Sequence, residues 1–300
     1  MFTPRTDLAL EAAAMVLKTK SKEPEGIEQS EYTEDGIRVS KVKITTEEGE
    51  RLIGKPVGNY VTIEYNSDDL HHDTGADKIQ KIFSCELKSL ISAHKHKVIF
   101  VVGLGNRFIT PDSLGPYVSD AIDVNRHLCS DKNLLCTVSP GVLGITGIET
   151  GEIIEGISSR IKPDIIIAID ALASRSMERI CTTIQLADTG ITPGAGVGNK
   201  RKELSYRTMG VPVIAIGVPT VVDAATVAND SVDILLEALG DGLEVQNTLL
   251  DDTHRYALIK KILNPYFGEL IVTPSEIDSI IERVSKIIAG GINDVGHNRA

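Results

Sequence analysis

Two aspartates are the residues of this chain best placed to do chemistry. Asp112 follows the apolar run from Val98 to Leu104 through a short loop, and Asp170 closes the apolar run that begins at Ile165. In α/β proteins ligands collect in the crevice beyond the carboxyl ends of the strands, so carboxylates delivered there can face one substrate. Two carboxyls forced close together share a proton. One then acts as base toward water while the other, protonated, polarises a carbonyl. Either aspartate alone serves equally well as the cap of the helix that follows it, so it is the pair that points to acid–base work.

The other motifs read more plainly. Gly103, Gly105 and Asn106 resemble a dinucleotide-binding turn, but Phe108 stands where that fingerprint needs a small residue and Thr110-Pro111 delays the helix. The glycines are instead expected to allow a tight turn that carries Asp112 to the sheet edge. The run from Gly194 to Lys202 fails as a phosphate loop because Asn199 precedes Lys200 and no Ser or Thr follows it. It reads as a surface loop, or as one whose Lys200, Arg201 and Lys202 close over an acidic peptide. Asp73-Thr74-Gly75 and Asp188-Thr189-Gly190 are read as turns. His71 with His72 and His94 with His96 sit in polar stretches without Cys or carboxylate partners and read as solvated, so no metal and no other cofactor is expected. No Gly-x-Ser-x-Gly elbow occurs. Cys85, Cys129, Cys136 and Cys181 lack Cys-x-x-Cys spacing and read as buried, reduced thiols of a cytosolic protein.

The elements that must position the aspartates follow from hydrophobic periodicity. Apolar strand runs at Val98 to Leu104, Leu134 to Val138, Ile165 to Ile169, Thr182 to Leu186 and Val211 to Ile216 alternate with helical stretches. That pattern predicts an α/β fold with a mostly parallel sheet flanked by helices. Upstream, Ile37 to Ile44 and Tyr60 to Ile63 predict a small β meander, followed by a polar loop from about Ser67 to Lys78. Residues 1–35 read as a polar preface, helical from Leu8 to Lys18. At the other end Thr273, Pro274 and Glu276 predict a capped helix that Gly290-Gly291 stops.

Charge and length limit the partners. A net charge of −11 over 300 residues opposes a sequence-independent grip on phosphate backbones, so no nucleic-acid partner is expected. No apolar run reaches the roughly 18 residues of a membrane helix, and no signal peptide is recognisable.

At Val102 to Asn106, Thr110 to Pro116, Pro140 to Thr150, Pro163 to Ala173, Gly196 to Glu203 and Pro212 to Asp223 the chain resembles the germination protease family of spore-forming bacteria. The resemblance covers nearly the whole length. It implies a homotetrameric, cytoplasmic (spore-core) zymogen that loses a short propeptide and then cuts small acid-soluble spore proteins, with a catalytic pair matching Asp112 and Asp170. The implied fold is phosphorylase/hydrolase-like, similar to that of the hydrogenase-maturation peptidases. Those relatives hold a metal with carboxylates and a histidine, and no matching strand-end histidine is found here. The family's target is Thr-Glu, the cut, a large apolar residue, Ala, a variable residue and Glu. Thr6-Asp7-Leu8-Ala9-Leu10-Glu11 is similar to it, which implies self-cleavage between Asp7 and Leu8.

The implied organisation is a propeptide at 1–7, an N-terminal extension at 8–35, and one α/β peptidase domain at 36–300 that includes the small β subdomain at about 36–65. An acidic residue before the cut needs a cation, for which Arg175, Lys200, Arg201 and Lys202 are the candidates. The competing classes are a metal-dependent maturation-type peptidase and a non-enzymatic α/β protein that binds an anion.

Overall fold

The computed structural model describes residues 7–19, 26–92, 98–128, 133–193, 202–239, 252–267 and 270–297. Helix α1 (Ala9–Thr19) comes first. Strands β1 (Ile27–Glu34) and β2 (Ile37–Ile44) then form a hairpin through Asp35 and Gly36, whose φ values of 53° and 86° are those of a two-residue turn matched to strand twist. Helix α2 (Glu47–Ile53) starts at Thr46, whose side chain accepts the Gly49 N–H at 3.1 Å, and leads into β3 (Gly58–Glu64).

The α/β part follows as α3 (Ser67–His71), α4 (Asp73–Ser92), β4 (Val98–Gly103), α5 (Leu114–Asp120), β5 (Leu134–Val138), α6 (Leu143–Thr146), α7 (Thr150–Ile161) and β6 (Ile165–Ser174). It ends with β7 (Thr183–Ala187), α8 (Tyr206–Met209), β8 (Val213–Asp223), α9 (Ala224–Leu239), α10 (Asp252–Phe267), β9 (Ile271–Val272) and α11 (Ile277–Gly296). The strands form one sheet in the order β1-β2-β3-β7-β8-β6-β4-β5, with β9 paired to β8.

The fold is mixed α/β with helices on the sheet, as expected, but the sheet is less parallel than the periodicity suggests. Pairing is parallel among β5, β4, β6 and β8 and antiparallel from β8 through β7, β3 and β2 to β1. Through β3 and β7, where Tyr60 lies opposite Ala187, the meander becomes part of the main sheet. Period-two alternation sends Ile99, Val101, Ile165, Ile167, Ile214 and Ile216 to one face, against Phe83 of α4, Leu114 of α5 and Ile281 and Ile288 of α11. On the opposite face Phe100, Val102, Ile166 and Ala168 meet Ile154 of α7, while Val42, Ile44, Tyr60 and Ala215 meet Ala9, Ala12 and Ala13 of α1.

Several local expectations are corrected. The described residues between 8 and 35 are no polar preface: Leu8 and Ala9 are fully buried, and β1 extends the sheet. The strand was illegible because nearly all its side chains are exposed, leaving no alternation to read. The stretch expected as a polar loop at Ser67 to Lys78 is α3 and the start of α4, with the Asp69 carboxylate accepting the Asn66 N–H at 3.2 Å. Asp73-Thr74-Gly75 thus opens a helix, whereas Asp188-Thr189-Gly190 is a bend after β7. Thr273 does not cap α11; its hydroxyl donates to Thr220 O at 2.8 Å, and the helix begins at Ile277. Cys181 is buried, but Cys136 is half-buried and Cys85 exposed, and these three are free thiols.

Nor do Gly290 and Gly291 stop α11. They let it approach α4: a Cβ on Gly291 would lie 2.4 Å from Phe83 Cδ1 in the fully buried core. Helix propensity alone favours Ala over Gly by about 1 kcal/mol. Gly291→Ala should nevertheless lower stability by about 1–3 kcal/mol through overpacking, whereas Gly156→Ala in α7, where a Cβ meets nothing within 4 Å, should be neutral or stabilising. Urea unfolding of the two variants checks this, and equal shifts would contradict the packing account.

Candidate active site

The site lies on the α1 and α7 face of the sheet. Alternation along β6 puts Asp170 on that face with Ile166 and Ala168. Pairing places Asp170 opposite Gly217 of β8, and Gly217 opposite Gln185 of β7. The three form a row whose middle position carries no side chain. Leu172 leans over the gap, and a Cβ on Gly217 would approach its Cδ1 within 2.4 Å.

Asp112 arrives from the neighbouring strand. Leu104 N–H donates to Ile169 O at 2.8 Å as β4 ends, and the chain reverses at Gly105, φ 106°, where a Cβ would fall 2.0 Å from Asp112 O. Here the positive φ and the close approach both require glycine. The Asn106 N–H is shared between Asp112 O and Asp112 Oδ2, each at 2.9 Å. The Thr220 hydroxyl of β8 donates to Pro111 O at 2.7 Å, tying the loop to the sheet.

Asp112 and Asp170 line one cavity of about 530 Å³, whose wall also includes Asp7, Lys55, Tyr60, Gln185 and Thr220. Asp170 is buried and accepts the Ala171 N–H at 3.0 Å; Asp112 is half-buried. The site lies just beyond the carboxyl end of β4, where ligands of an open α/β sheet collect, but Asp170, expected at a strand end, is inside β6, which continues to Ser174.

Asp7, the first described residue, forms part of this cavity's wall. Asp7 N–H donates to Ala173 O at 3.3 Å, and Ala173 N–H donates to Asp7 Oδ2 at 3.0 Å. The Asp7 carbonyl accepts from Lys55 Nζ at 3.1 Å and from Gln185 Nε2 at 3.2 Å. Four residues on, the buried Glu11 carboxylate accepts from the Ser174 hydroxyl (3.2 Å), the N–H groups of Arg175 (2.9 Å) and Ser176 (3.1 Å), and the Arg179 guanidinium (3.2 Å). Arg179 also bridges to Glu64 at 3.1 Å.

Of the residues singled out in the sequence, Asp112, Asp170 and Asp7 are brought together, with Leu8 buried beside them. Arg175 and Lys202 are not among the described residues that line the cavity. Arg175 pairs with Asp230 at 3.0 Å and Lys202 with Glu155, while Lys200 and Arg201 lie outside the described residues. His71 and His72 are exposed, and His94 and His96 lie outside the described residues. Among the described residues no group of three or more His, Cys, Asp or Glu side chains is arranged to hold a metal, and no helix is long and apolar enough to cross a membrane.

Lys55, Gln185 and Arg179 were missed. Gln185 had a readable signal, an amide inside the apolar strand Thr183-Ile-Gln-Leu-Ala187; Lys55, between Gly54 and Pro56, had none.

Two carboxylates and a held stretch of backbone line one cavity, an arrangement that suits a peptidase. The chain belongs to the germination protease family, whose model matches residues 5–249 and 243–300. It is 48% identical to the germination protease of Clostridium tetani (strain Massachusetts / E88) over 96% of this chain and 94% of that one. It is 40% identical to that of Bacillus velezensis (strain DSM 23117 / BGSC 10A6 / LMG 26770 / FZB42), over 99% and 94%. A solved structure, a [NiFe] hydrogenase maturation protease HycI from Thermococcus kodakarensis KOD1, matches with a TM-score of 0.37 and 18% identity over 69% of this chain and 98% of that chain. A score that low carries no argument.

Burial is the largest influence on the Asp7 carboxyl and pushes it above the usual range, against the Ala173 N–H and the Lys55 charge, which pull it down. A carboxyl raised on folding binds its proton more tightly in the folded state, so its contribution is greatest at low pH and is lost as pH rises from the unfolded value through the raised one. In an Asp170→Asn background, where processing should not interfere, the stability advantage of Asp7→Asn should therefore shrink as pH falls from about 7 to about 4. Thermal midpoints across that range test it; an advantage that grew on acidification would refute the burial account.

Proposed function

We propose that this chain is a self-activating endopeptidase zymogen of the aspartic type. Asp112 and Asp170 activate a water for attack on the Asp7–Leu8 peptide bond, removing residues 1–7. The processed enzyme, a homotetramer of the spore core, then starts the degradation of small acid-soluble spore proteins during germination, cutting after an acidic residue that precedes a large apolar one. The observation that carries this reading is that one cavity is lined by both carboxylates and by the residue before the proposed cut.

One carboxylate takes a proton from the water as its oxygen adds to the Asp7 carbonyl carbon; the other carboxyl, protonated, delivers its proton to the Leu8 nitrogen as the C–N bond breaks. The products are a peptide ending in a free carboxyl at Asp7 and a chain beginning at Leu8. With Arg175 and Lys202 paired to carboxylates, the Ala173 N–H and the nearby Lys55 charge join Lys200 and Arg201 as the groups that recognise the acidic side chain before the cut. The Glu11 pocket with Arg179 accounts for an acidic residue four positions further on. Exposed Ile234 and Leu235 on α9 and Leu258 and Ile262 on α10 supply apolar surface for self-association.

Intact mass of the purified chain over time under mildly acidic conditions tests the reading. Wild type should lose residues 1–7, while Asp112→Asn and Asp170→Asn stay whole with their folds and oligomeric state retained, slower by about 10³-fold or more, as expected for loss of a group central to the chemistry. Undiminished processing by Asp170→Asn would end the aspartate mechanism, and a mature chain beginning elsewhere would end the cut-site assignment.

A further inference from the structure

We infer that Lys55 and Gln185 are catalytic residues of this peptidase: their side chains form an oxyanion site that polarises the carbonyl of the residue before the cut. The inference rests on the proposed cut at Asp7–Leu8 and adds two reacting groups beyond the carboxylate pair.

Two side-chain donors from separate parts of the fold converge on one backbone oxygen. Lys55, between α2 and β3, reaches Asp7 O at 3.1 Å, and Gln185, on β7, reaches it at 3.2 Å. A carbonyl oxygen has two lone pairs, so both are taken. The orientation of the Gln185 amide is set by its surroundings: Oε1 accepts the Ala9 N–H at 2.6 Å, which turns Nε2 toward Asp7 O. One amide thus spans the bond to be cut, donating on its acyl side and accepting on its amine side. The bond is immobilised from both ends, by the exchange of hydrogen bonds between Asp7 and Ala173 and by the complete burial of Leu8 and Ala9.

A structural seat for a chain terminus needs one donor at this carbonyl. A cation and an amide aimed at the same oxygen, in a cavity shared with Asp112 and Asp170, are what attack on a carbonyl requires. As water adds, the C=O pair of electrons moves onto oxygen, and donors already in place strengthen without reorganisation as that charge grows. When the C–N bond breaks the electrons return, the oxygen becomes a carbonyl again and the Leu8 nitrogen carries the proton supplied by the carboxyl. Because Lys55 and Gln185 satisfy the oxygen, the protonated carboxyl serves the leaving nitrogen and not the oxygen. Burial pushes Lys55 below its usual range while Asp7 and Glu11 pull it back up, so the ammonium is poorly hydrated and interacts strongly with charge that develops beside it.

Lys55→Met keeps the stem without the donor, and Gln185→Glu keeps the acceptor for Ala9 N–H without the donor to Asp7 O. In the full chain, self-processing followed by intact mass should slow by about 10²–10³-fold in each, the usual cost of one oxyanion donor. Processed enzyme acting on a peptide that carries the Arg5 to Glu11 sequence should lose kcat with KM within about threefold of wild type. Lys55→Arg should recover part of the rate. Wild-type rates in either variant, or a loss confined to KM, would overturn the proposal, as would loss of the folded state in both, which would make the clamp a structural seat. Asp170→Asn run alongside separates the two readings: if it processes normally the aspartate mechanism fails, whereas full activity of Lys55→Met and Gln185→Glu beside an inactive Asp170→Asn removes only the oxyanion site.

Discussion

The cleft depends on the register of β6, β8 and β7. With Asp170 and Gln185 each paired to Gly217, an acid and an amide stand two strands apart, roughly 10 Å by the spacing of paired strands, and the strand between them carries no side chain at that position. A slip of one residue in β6 would turn Asp170 into the core beneath α4, α5 and α11 and bring Ile169 to the cleft. The same register fixes Ala173, whose N–H and C=O hold Asp7. A carboxylate, an amide and a backbone clamp are therefore set by one alignment of three strands.

That alignment is enforced largely from the other face. Ile165, Ile167, Ile169, Ile184, Leu186, Ile214 and Ile216 interlock with helices there, and burying each such side chain is worth about 1.5–3 kcal/mol. The cleft face contributes less apolar burial of its own at its centre, where Asp170, Gln185 and Gly217 stand. Polar groups buried there are costly unless satisfied. Glu11 illustrates the solution: four donors surround a carboxylate that is almost inaccessible, and removing one partner of a buried charge costs about 3–5 kcal/mol. The first turn of α1 is thereby anchored by charge at the point where the proposed cut falls.

Much of this was legible in the sequence. The strand before Asp112 was found at nearly its observed bounds and the start of β6 was correct, because each is a continuous apolar segment; β6 runs on past Asp170 to Ser174, since pairing with β8 continues there. The turn at Gly105 was recognisable as well: glycine just past a strand signals a conformation other residues avoid. What failed was local structure whose stabilisation is not local. Strand β1 alternates nothing, Asp73 starts a helix rather than a turn, and Gly290-Gly291 continues α11 because the neighbouring Phe83 and Gln80 leave no room for a Cβ.

The sequence by itself determined the α/β class, the two aspartates that follow apolar runs and the likeness of Asp7 to Glu11 to a cleavable motif, since periodicity and residue type are properties of neighbours along the chain; only pairing showed that Asp170 lies inside β6 and not at its end. Only the tertiary structure decided that the meander and the parallel strands share one sheet, that Arg175 and Lys202 are spoken for by Asp230 and Glu155, and that Lys55 and Gln185 meet at the Asp7 carbonyl. Those facts join residues 47 to 178 positions apart, and at such separations it is strand register and packing, not spacing, that chooses partners.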